Sequence, residues 1–169
     1  MVYDWTTFTR KIAIKASVNE LYPFFSTKNG MERWFLRMCD YKSSDGVSLK
    51  NDAIAKKGDT YKFRWYGYSD ETEENGVILQ SNGRDVFEFT FNGNGSTDMI
   101  VNVALTTQGE NTLVSLTQYN IPDTEHGRSH WHVGCMEGWT FYLANLKSII
   151  EGGLDLRNKD ENITGVINS

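Results

Sequence analysis

Apolar residues recur with a helical period near the C-terminal end of the chain. Between Arg128 and Glu151, the positions that a helix would bring to one face hold Cys135, Met136, Trp139, Tyr142, Leu143, Leu146, Ile149 and Ile150. This is the 3.6-residue period of an amphipathic helix, and Gly152 and Gly153 supply the left-handed conformation that often ends one. The pattern predicts one helix of about 24 residues, roughly 36 Å long, which needs a broad apolar surface to pack against.

Short segments of alternating apolar and polar residues precede this helix, as in strands with one buried face. They predict strands near residues 8–15, 36–41, 60–65, 70–80, 87–91, 99–105 and 112–121. In the fourth of these, Val77 and Leu79 are predicted to face the core. The acidic run from Asp70 to Glu74, at the start of that strand, is interpreted as solvent-exposed.

Two short helices are predicted between the first two strands. Ser17 and Glu20 have the spacing of a capping box, which starts a helix near Val18 to Phe25, and a second helix follows near residues 29–34. The element order predicts an α+β helix-grip fold: a curved antiparallel sheet of about six to seven strands, two short helices, and one long C-terminal helix across the apolar face. We expect a single domain over residues 1–157 and a polar tail, residues 158–169, that frays.

The end of the predicted helix also resembles a known family. The segment from Gly138 to Arg157 combines a Gly-Trp pair, a Leu-x-x-Leu-Lys motif and a final Asp-Leu-Arg. With weaker matches at 32–35, 58–65, 74–77 and 87–91, the chain resembles the Bet v 1/START-like superfamily, and within it the subgroup related to the C-terminal domain of the Hsp90 ATPase activator. The resemblance covers about residues 8–157 and implies the helix-grip fold. Because lipid carriers, cyclases, hydrolases and co-chaperones share this scaffold, it leaves the activity open.

In that fold the first half of the long helix stands off from the sheet, and the resemblance implies a ligand cavity in the gap. The candidate lining residues are Trp34, Phe63, Trp65, Phe87, Phe89, Gln118, Trp131, Cys135 and Trp139. Such bulky rings favour a small or flat cavity and therefore a small apolar or aromatic ligand. The alternative is that the rings fill the gap as a close-packed core, with Gln118 as a hydrogen-bonded core amide.

Four side chains that can bind metals lie at the start of the long helix: Glu125, His126, His130 and His132. His126 and His130 have the i, i+4 spacing that can share a metal on one helix face, but the helix is predicted to begin between them. We therefore expect histidines at the surface or at the rim of the pocket, with no metal and no cofactor.

A catalytic role is the alternative to simple binding. His132 and Cys135 have the spacing of a nucleophile pair, but Cys135 falls on the apolar face of the helix, where a buried thiol is unreactive. An enzyme of the cyclase or hydrolase type would instead use polar pocket groups among His130, His132, Glu137 and Gln118. No residue is assigned as catalytic, and non-catalytic binding is the favoured hypothesis.

Composition narrows the range of partners. The chain has 17 basic and 22 acidic residues and a net charge of −5, which argues against nucleic acid as a partner because proteins that bind it carry basic patches. No apolar run reaches about 18 residues, so no membrane span is expected, and the polar N-terminus is unlike a secretory signal. Cys39 and Cys135 are predicted to be free thiols of a cytoplasmic protein. A chaperone partner, which the family name implies, and a homodimer stay open.

Overall fold

Seven strands and three helices follow one another in the computed structural model, which describes residues 2–169. The strands are β1 (Phe8–Ile14), β2 (Met38–Lys42), β3 (Thr60–Arg64), β4 (Glu74–Ser81), β5 (Val86–Thr90), β6 (Ile100–Gln108) and β7 (Asn111–Tyr119). The helices are α1 (Val18–Ser26), α2 (Lys28–Trp34) and α3 (Cys135–Ile150), and a π-helical segment, Gly127–Gly134, leads directly into α3. Within the described residues, no helix is both long enough and apolar enough to cross a membrane.

All strands pair antiparallel in one open sheet with the order β1-β7-β6-β5-β4-β3-β2. The register places inward residues side by side across the central strands, because Val103 on β6 is opposite both Phe87 on β5 and Leu116 on β7. Their side chains are almost fully buried under the helices. The predicted α+β helix-grip fold is confirmed, with seven strands in the sheet.

The inward face of β4 differs from the prediction. Val77 is 37% exposed and Ile78 is fully buried, so the predicted inward pair Val77 and Leu79 was wrong. Residues directly opposite each other in an antiparallel pair point to the same face, and β4 aligns Glu74 with the buried Phe63 of β3. With a period of two residues, Glu74 and Ile78 must then face inward, although a shift in register follows between Ile78 and Gln80.

The two short helices meet at Thr27, which caps both of them. The predicted capping box of α1 is present, with the Ser17 hydroxyl accepting from the Glu20 amide. Thr27 donates from its hydroxyl to the Pro23 carbonyl oxygen and accepts from the Gly30 amide. A Cβ atom at Gly30 would lie 1.9 Å from the Pro23 carbonyl oxygen, so the close approach of α2 to α1 requires glycine.

The long C-terminal helix has the predicted length of 24 residues, but its first third is not α-helical. Gly127–Gly134 forms a π-helix, and the α-helix begins at Cys135. A π-helix makes i→i+5 hydrogen bonds and has a wider turn, so its side chains do not continue the face that the α-helical period predicts. At its start, a Cβ atom on Gly127 would lie 1.8 Å from the Pro122 carbonyl oxygen, which fixes a close turn between β7 and the helix.

The tail beyond residue 157 makes contacts with the body of the protein. Asn168 donates from its side chain to the Leu156 carbonyl oxygen at 2.9 Å, and the Tyr142 hydroxyl of α3 donates to the carbonyl oxygen of Ser169. Ser169 is buried, beside Gly67. These contacts differ from the frayed tail that the polar composition suggested, and the mobility of this segment stays a prediction.

Candidate functional site

The gap between α3 and the sheet is filled by side chains. Trp34, Phe63, Phe87 and Phe89, which were all predicted to line a cavity, are at most 2% exposed. Their rings pack against one another, with 6.0 Å between the centroids of Phe63 and Phe89. The space left among the core rings next to Trp139 measures about 10 Å³, which is room for about one water molecule. This part of the molecule is a close-packed core.

Gln118 links the sheet to the helix inside that core. It is fully buried on β7, its Oε1 accepts from Trp139 Nε1 at 3.0 Å, and its Nε2 donates to the Met99 sulfur at 3.4 Å. Both ends of the amide therefore have protein partners, as the core-amide alternative predicted. The bond to Trp139 orients an indole ring that also borders an open cleft.

An open cleft, which we call the aromatic cleft, lies where the long helix passes the C-terminal ends of β3 and β5. Its volume is about 280 Å³. On the sheet side it is lined by Phe35, Trp65, Tyr68 and Phe91, and on the helix side by His130, Trp131, Gly134, Cys135, Gly138, Trp139 and Tyr142. It brings together Trp65, Trp131, Cys135 and Trp139 of the predicted cavity residues. The other five, namely Trp34, Phe63, Phe87, Phe89 and Gln118, are not among its lining residues.

The rings of the aromatic cleft stand at steep angles to one another around Phe35. The Phe35 ring lies 5.8 Å from Trp65 at 75° and 4.9 Å from Tyr142 at 85°, while it lies tilted on Trp139 at 4.7 Å and 30°. Trp65 and Phe91 meet at 6.2 Å and 79°. Edge-to-face packing of this kind fixes the rings against one another, so the walls of the cleft are preformed.

Two glycines keep the helix side of the cleft open. Gly134 and Gly138 both line it, and a Cβ atom at Gly138 would have no atom within 4 Å. These glycines, together with Phe35, Tyr68 and Tyr142, were not predicted from the sequence. The sequence did contain a signal for the glycines, because two of them lie four residues apart in a strongly periodic helix. Glycine destabilises a helix, so its presence there indicates a packing or functional reason.

A buried carboxylate supports the loop beside the cleft. Glu74 Oε1 accepts from the amides of Asn92 and Gly93 at 2.8 and 3.0 Å, and a Cβ atom at Gly93 would lie 3.0 Å from the Trp131 ring. Burial raises the pKa of Glu74, while the amide donors act in the opposite direction. The prediction of an exposed Glu74 was wrong, because its place opposite Phe63 turns it inward.

Cys135 lines the cleft but is a poor nucleophile. Burial raises the pKa of its thiol to about 11, and the negative charge of Glu74 adds to this rise. At neutral pH the thiol is therefore protonated, and the thiolate is the reactive form. The charge of Glu74 acts on a residue of the cleft wall, which ties the buried carboxylate to the site.

The three histidines have three different surroundings. His126 and His130 stack at 4.9 Å with 14° between their planes, and His130 reaches the rim of the cleft as predicted. The expectation of a surface or rim position was wrong for His132, which is fully buried. Its Nδ1 donates to the Trp5 carbonyl oxygen and its Nε2 is bonded to the Tyr3 hydroxyl, both at 2.9 Å. The π-helical turn explains this inward position.

No group of three or more possible metal ligands occurs within residues 2–169. The four polar groups considered for catalysis are also apart, since no hydrogen bond joins any two of them in the described chain. His132 is bonded to the N-terminal segment and Gln118 to core residues, while Glu137 is exposed. The geometry of the cleft therefore offers apolar contact rather than paired acid and base groups.

Comparison with known proteins identifies the family. The family model described as "Activator of Hsp90 ATPase homolog 1-like protein" matches residues 15–151. The chain belongs to this family. Among the solved structures similar to this AHSA1-like chain is the Aha1 dimer from Colwellia psychrerythraea, at 20% identity and a TM-score of 0.67, covering 87% of this chain and 97% of that one.

Two further structures similar to the AHSA1-like chain support the same fold. SSP2350 from Staphylococcus saprophyticus is 16% identical with a TM-score of 0.64, covering 89% of this chain and 96% of its own. CV1439 from Chromobacterium violaceum is 20% identical with a TM-score of 0.62, and the match covers 86% of this chain and 98% of CV1439. No curated protein matches significantly.

In the AHSA1-like chain, the Asp-Leu-Arg ending that carried the resemblance holds the end of α2 in place. Arg157 donates to the carbonyl oxygens of Leu36 and Arg33 at 3.0 and 2.9 Å. Asn145 of α3 donates to the Trp34 carbonyl oxygen at 2.8 Å. These charged and amide donors satisfy the free carbonyl groups at the C-terminal end of α2, where the sheet side of the aromatic cleft begins.

Proposed function

We propose that this AHSA1-like protein is a non-catalytic binding protein for a small apolar or aromatic molecule, which it holds in the aromatic cleft. The observation that carries the proposal is a preformed cleft of about 280 Å³ walled by seven aromatic side chains and open at Gly138. A ligand of one or two rings that buries about 200 Å² of apolar surface would gain about 5 kcal/mol. The loss of translational and rotational freedom offsets part of this gain, so the dissociation constant should be about 0.2 mM or weaker.

The test is a titration with 1-naphthol followed by the indole N–H resonances of ¹⁵N-labelled protein. We expect saturable shifts at Trp65, Trp131 and Trp139, with Trp34 in the core as the internal reference. The Gly138→Leu variant should lose these shifts because its side chain would occupy the cleft. Glu137→Leu places the same side chain on the exposed face of the helix and should bind normally.

Two results would contradict the proposal. One is a titration of the folded wild-type protein without saturable shifts for 1-naphthol and a panel of similar one-ring and two-ring compounds. The other is equal binding by Gly138→Leu and by the wild type, because the ligand would then sit outside the aromatic cleft.

Self-association is a second candidate function, favoured by the dimeric state of the Colwellia psychrerythraea protein. It predicts a molar mass above the 19.3 kDa of one chain in light scattering at high protein concentration.

A chaperone partner, which the family description suggests, predicts retention on immobilised Hsp90, and a cytoplasmic location would suit such a partner. A monomer at all concentrations and no retention on Hsp90 would remove these candidates without affecting ligand binding in the cleft.

A further inference from the structure

The walls of the aromatic cleft have an electrostatic character as well as an apolar one. Rings that meet at 75° to 85° around Phe35 present both faces and edges, and the face of an aromatic ring carries negative potential. A cation within about 6 Å of such a face is attracted to it, and several rings around one cation form an aromatic cage. A box of rings at these angles suits a compact cation better than a flat neutral molecule, which prefers parallel surfaces.

The lining contains no permanently charged cation that would oppose a ligand of the same sign. Among the described residues that line the cleft, none is a lysine or an arginine. The arginines at the neighbouring end of β3 are already paired, Arg37 with Asp70 and Arg64 with Glu73. The chain as a whole carries a net charge of −5, so long-range attraction also favours a cation.

The buried Glu74 adds a negative charge behind the wall. Its Oε1 accepts from the amides of Asn92 and Gly93, which fixes the carboxylate beneath that loop. The loop that it holds lies against the cleft wall, because a Cβ atom at Gly93 would lie 3.0 Å from the ring of Trp131, which lines the cleft. Burial raises the pKa of Glu74, and the amide donors of the Asn92–Gly93 loop act against this and favour its ionised form.

From these three features we infer that the ligand of the aromatic cleft is a small organic cation with an apolar or aromatic body, such as a quaternary ammonium or a protonated amine. The inference rests on the proposed binding function and names the chemical class of the ligand. The rings supply the contact surface for the body, and the ring faces with Glu74 supply the preference for positive charge.

The test compares two compounds of nearly the same shape that differ in charge. The cation is (3-hydroxyphenyl)trimethylammonium, and the neutral counterpart is 3-tert-butylphenol. Both are titrated into wild-type protein and into Gly138→Leu while the indole resonances are followed. We expect the cation to bind between about threefold and thirtyfold more tightly, with both compounds excluded by Gly138→Leu.

Glu74→Gln isolates the contribution of the carboxylate. The amide oxygen can still accept from Asn92 and Gly93, so the loop is retained while the charge is removed. The affinity for the cation should fall by about threefold or more, and that for 3-tert-butylphenol should not change. If this variant does not fold, the salt dependence of the wild-type protein takes its place, because the preference for the cation should shrink between about 20 and 500 mM NaCl.

The outcomes separate this inference from the proposed function. Equal or weaker binding of the cation, in a cleft that still binds the neutral phenol, overturns the inference and leaves the proposed function intact. A preference that is the same in Glu74→Gln and insensitive to salt overturns the role assigned to Glu74. Binding of neither compound removes the proposed function.

Discussion

Gly138 is the fourth residue of α3, and because the π-helical segment leads directly into α3 it lies inside a continuous helix, where a glycine costs about 1 kcal/mol relative to alanine. The usual structural reason for a helical glycine is close approach of another backbone, as at Gly30. At Gly138 the surroundings are empty within 4 Å of a Cβ atom, so packing does not require the glycine. The open space at this position is the aromatic cleft itself, which suggests that stability is reduced here in favour of binding.

We predict that Gly138→Ala stabilises the protein. The free energy of unfolding should rise by about 0.5–1 kcal/mol, because alanine favours the helix and restricts the unfolded chain. Urea denaturation followed by circular dichroism measures the change. Thr140→Ala, at an exposed position of the same helix, provides the comparison for a substitution outside the cleft. Unchanged or reduced stability of Gly138→Ala would mean that a methyl group meets resistance in the cleft.

At the scale of the elements, the corner between α1 and α2 depends on a glycine for the opposite reason. A Cβ atom at Gly30 would lie 1.9 Å from the Pro23 carbonyl oxygen and 2.7 Å from the Phe24 Cα atom. Both are backbone atoms, which cannot move without displacing a helix. The indole of Trp34 also bonds to the Phe24 carbonyl oxygen at 2.9 Å, so a shift of α2 would disturb the core next to the cleft.

Gly30→Ala should therefore destabilise the protein by about 3 kcal/mol through forced overpacking. The measurement is again urea denaturation, together with the indole resonance of Trp34, which should move. Lys28→Ala, on the same helix and half-buried, should change the stability by less than about 0.5 kcal/mol. A Gly30→Ala protein as stable as the wild type would show that the two helices are able to separate at little cost.

The elements themselves were largely predictable from the sequence because their patterns are local. The alternation of apolar and polar residues predicted β5, β6 and β7, and the spacing of Ser17 and Glu20 predicted the start of α1. The inward face of β4 was not predictable, because Val77, Ile78 and Leu79 are all apolar and the choice of face depends on the pairing with β3. The π-helical segment was missed because an irregular helical turn has no distinct apolar period.

The candidate site was predictable only in part, for the reason that packing is not local. The type of side chain identified the aromatic residues, but nothing in the sequence separates a ring such as Phe89, which fills the core, from Trp65, which borders the cleft. That distinction depends on how closely the rings fit together. The inward turn of Glu74 also follows from the strand register rather than from its acidic neighbours.

At the scale of the whole molecule, the guanidinium of Arg157 connects segments that are distant in sequence. Arg157 is buried and its Nη2 lies 2.7 Å from Asp155 Oδ2, while the same guanidinium bonds to the end of α2. Lys159 lies 2.8 Å from the same carboxylate oxygen. The segment that follows α3 is in this way attached to the end of α2 through Arg157, whose charge is paired with Asp155.

This arrangement makes stability depend on pH in the acid range. Burial of Asp155 opposes its charge, but hydrogen bonds from Arg157 and Lys159 outweigh this and lower its pKa. Likewise, Arg64, followed by Asn75 and Lys62, lowers the pKa of Glu73 to about 2. A carboxyl whose pKa is lower in the folded state contributes stability that is present above its unfolded pKa, about 4, and that is lost as the pH falls toward the folded value.

We therefore predict that the free energy of unfolding decreases as the pH falls from about 5 toward 2, and that Asp155→Asn flattens this dependence. At pH 7 the variant should lose about 1–2 kcal/mol, because the carboxylate is partly exposed and its ion pairs are screened. Urea denaturation at several pH values gives both quantities. Asp45→Asn, in an exposed loop without an ion pair in the described chain, should retain the slope of the wild type. If Asp155→Asn retained the full slope as well, the attachment of the C-terminal segment to α2 would not depend on the charge of Asp155.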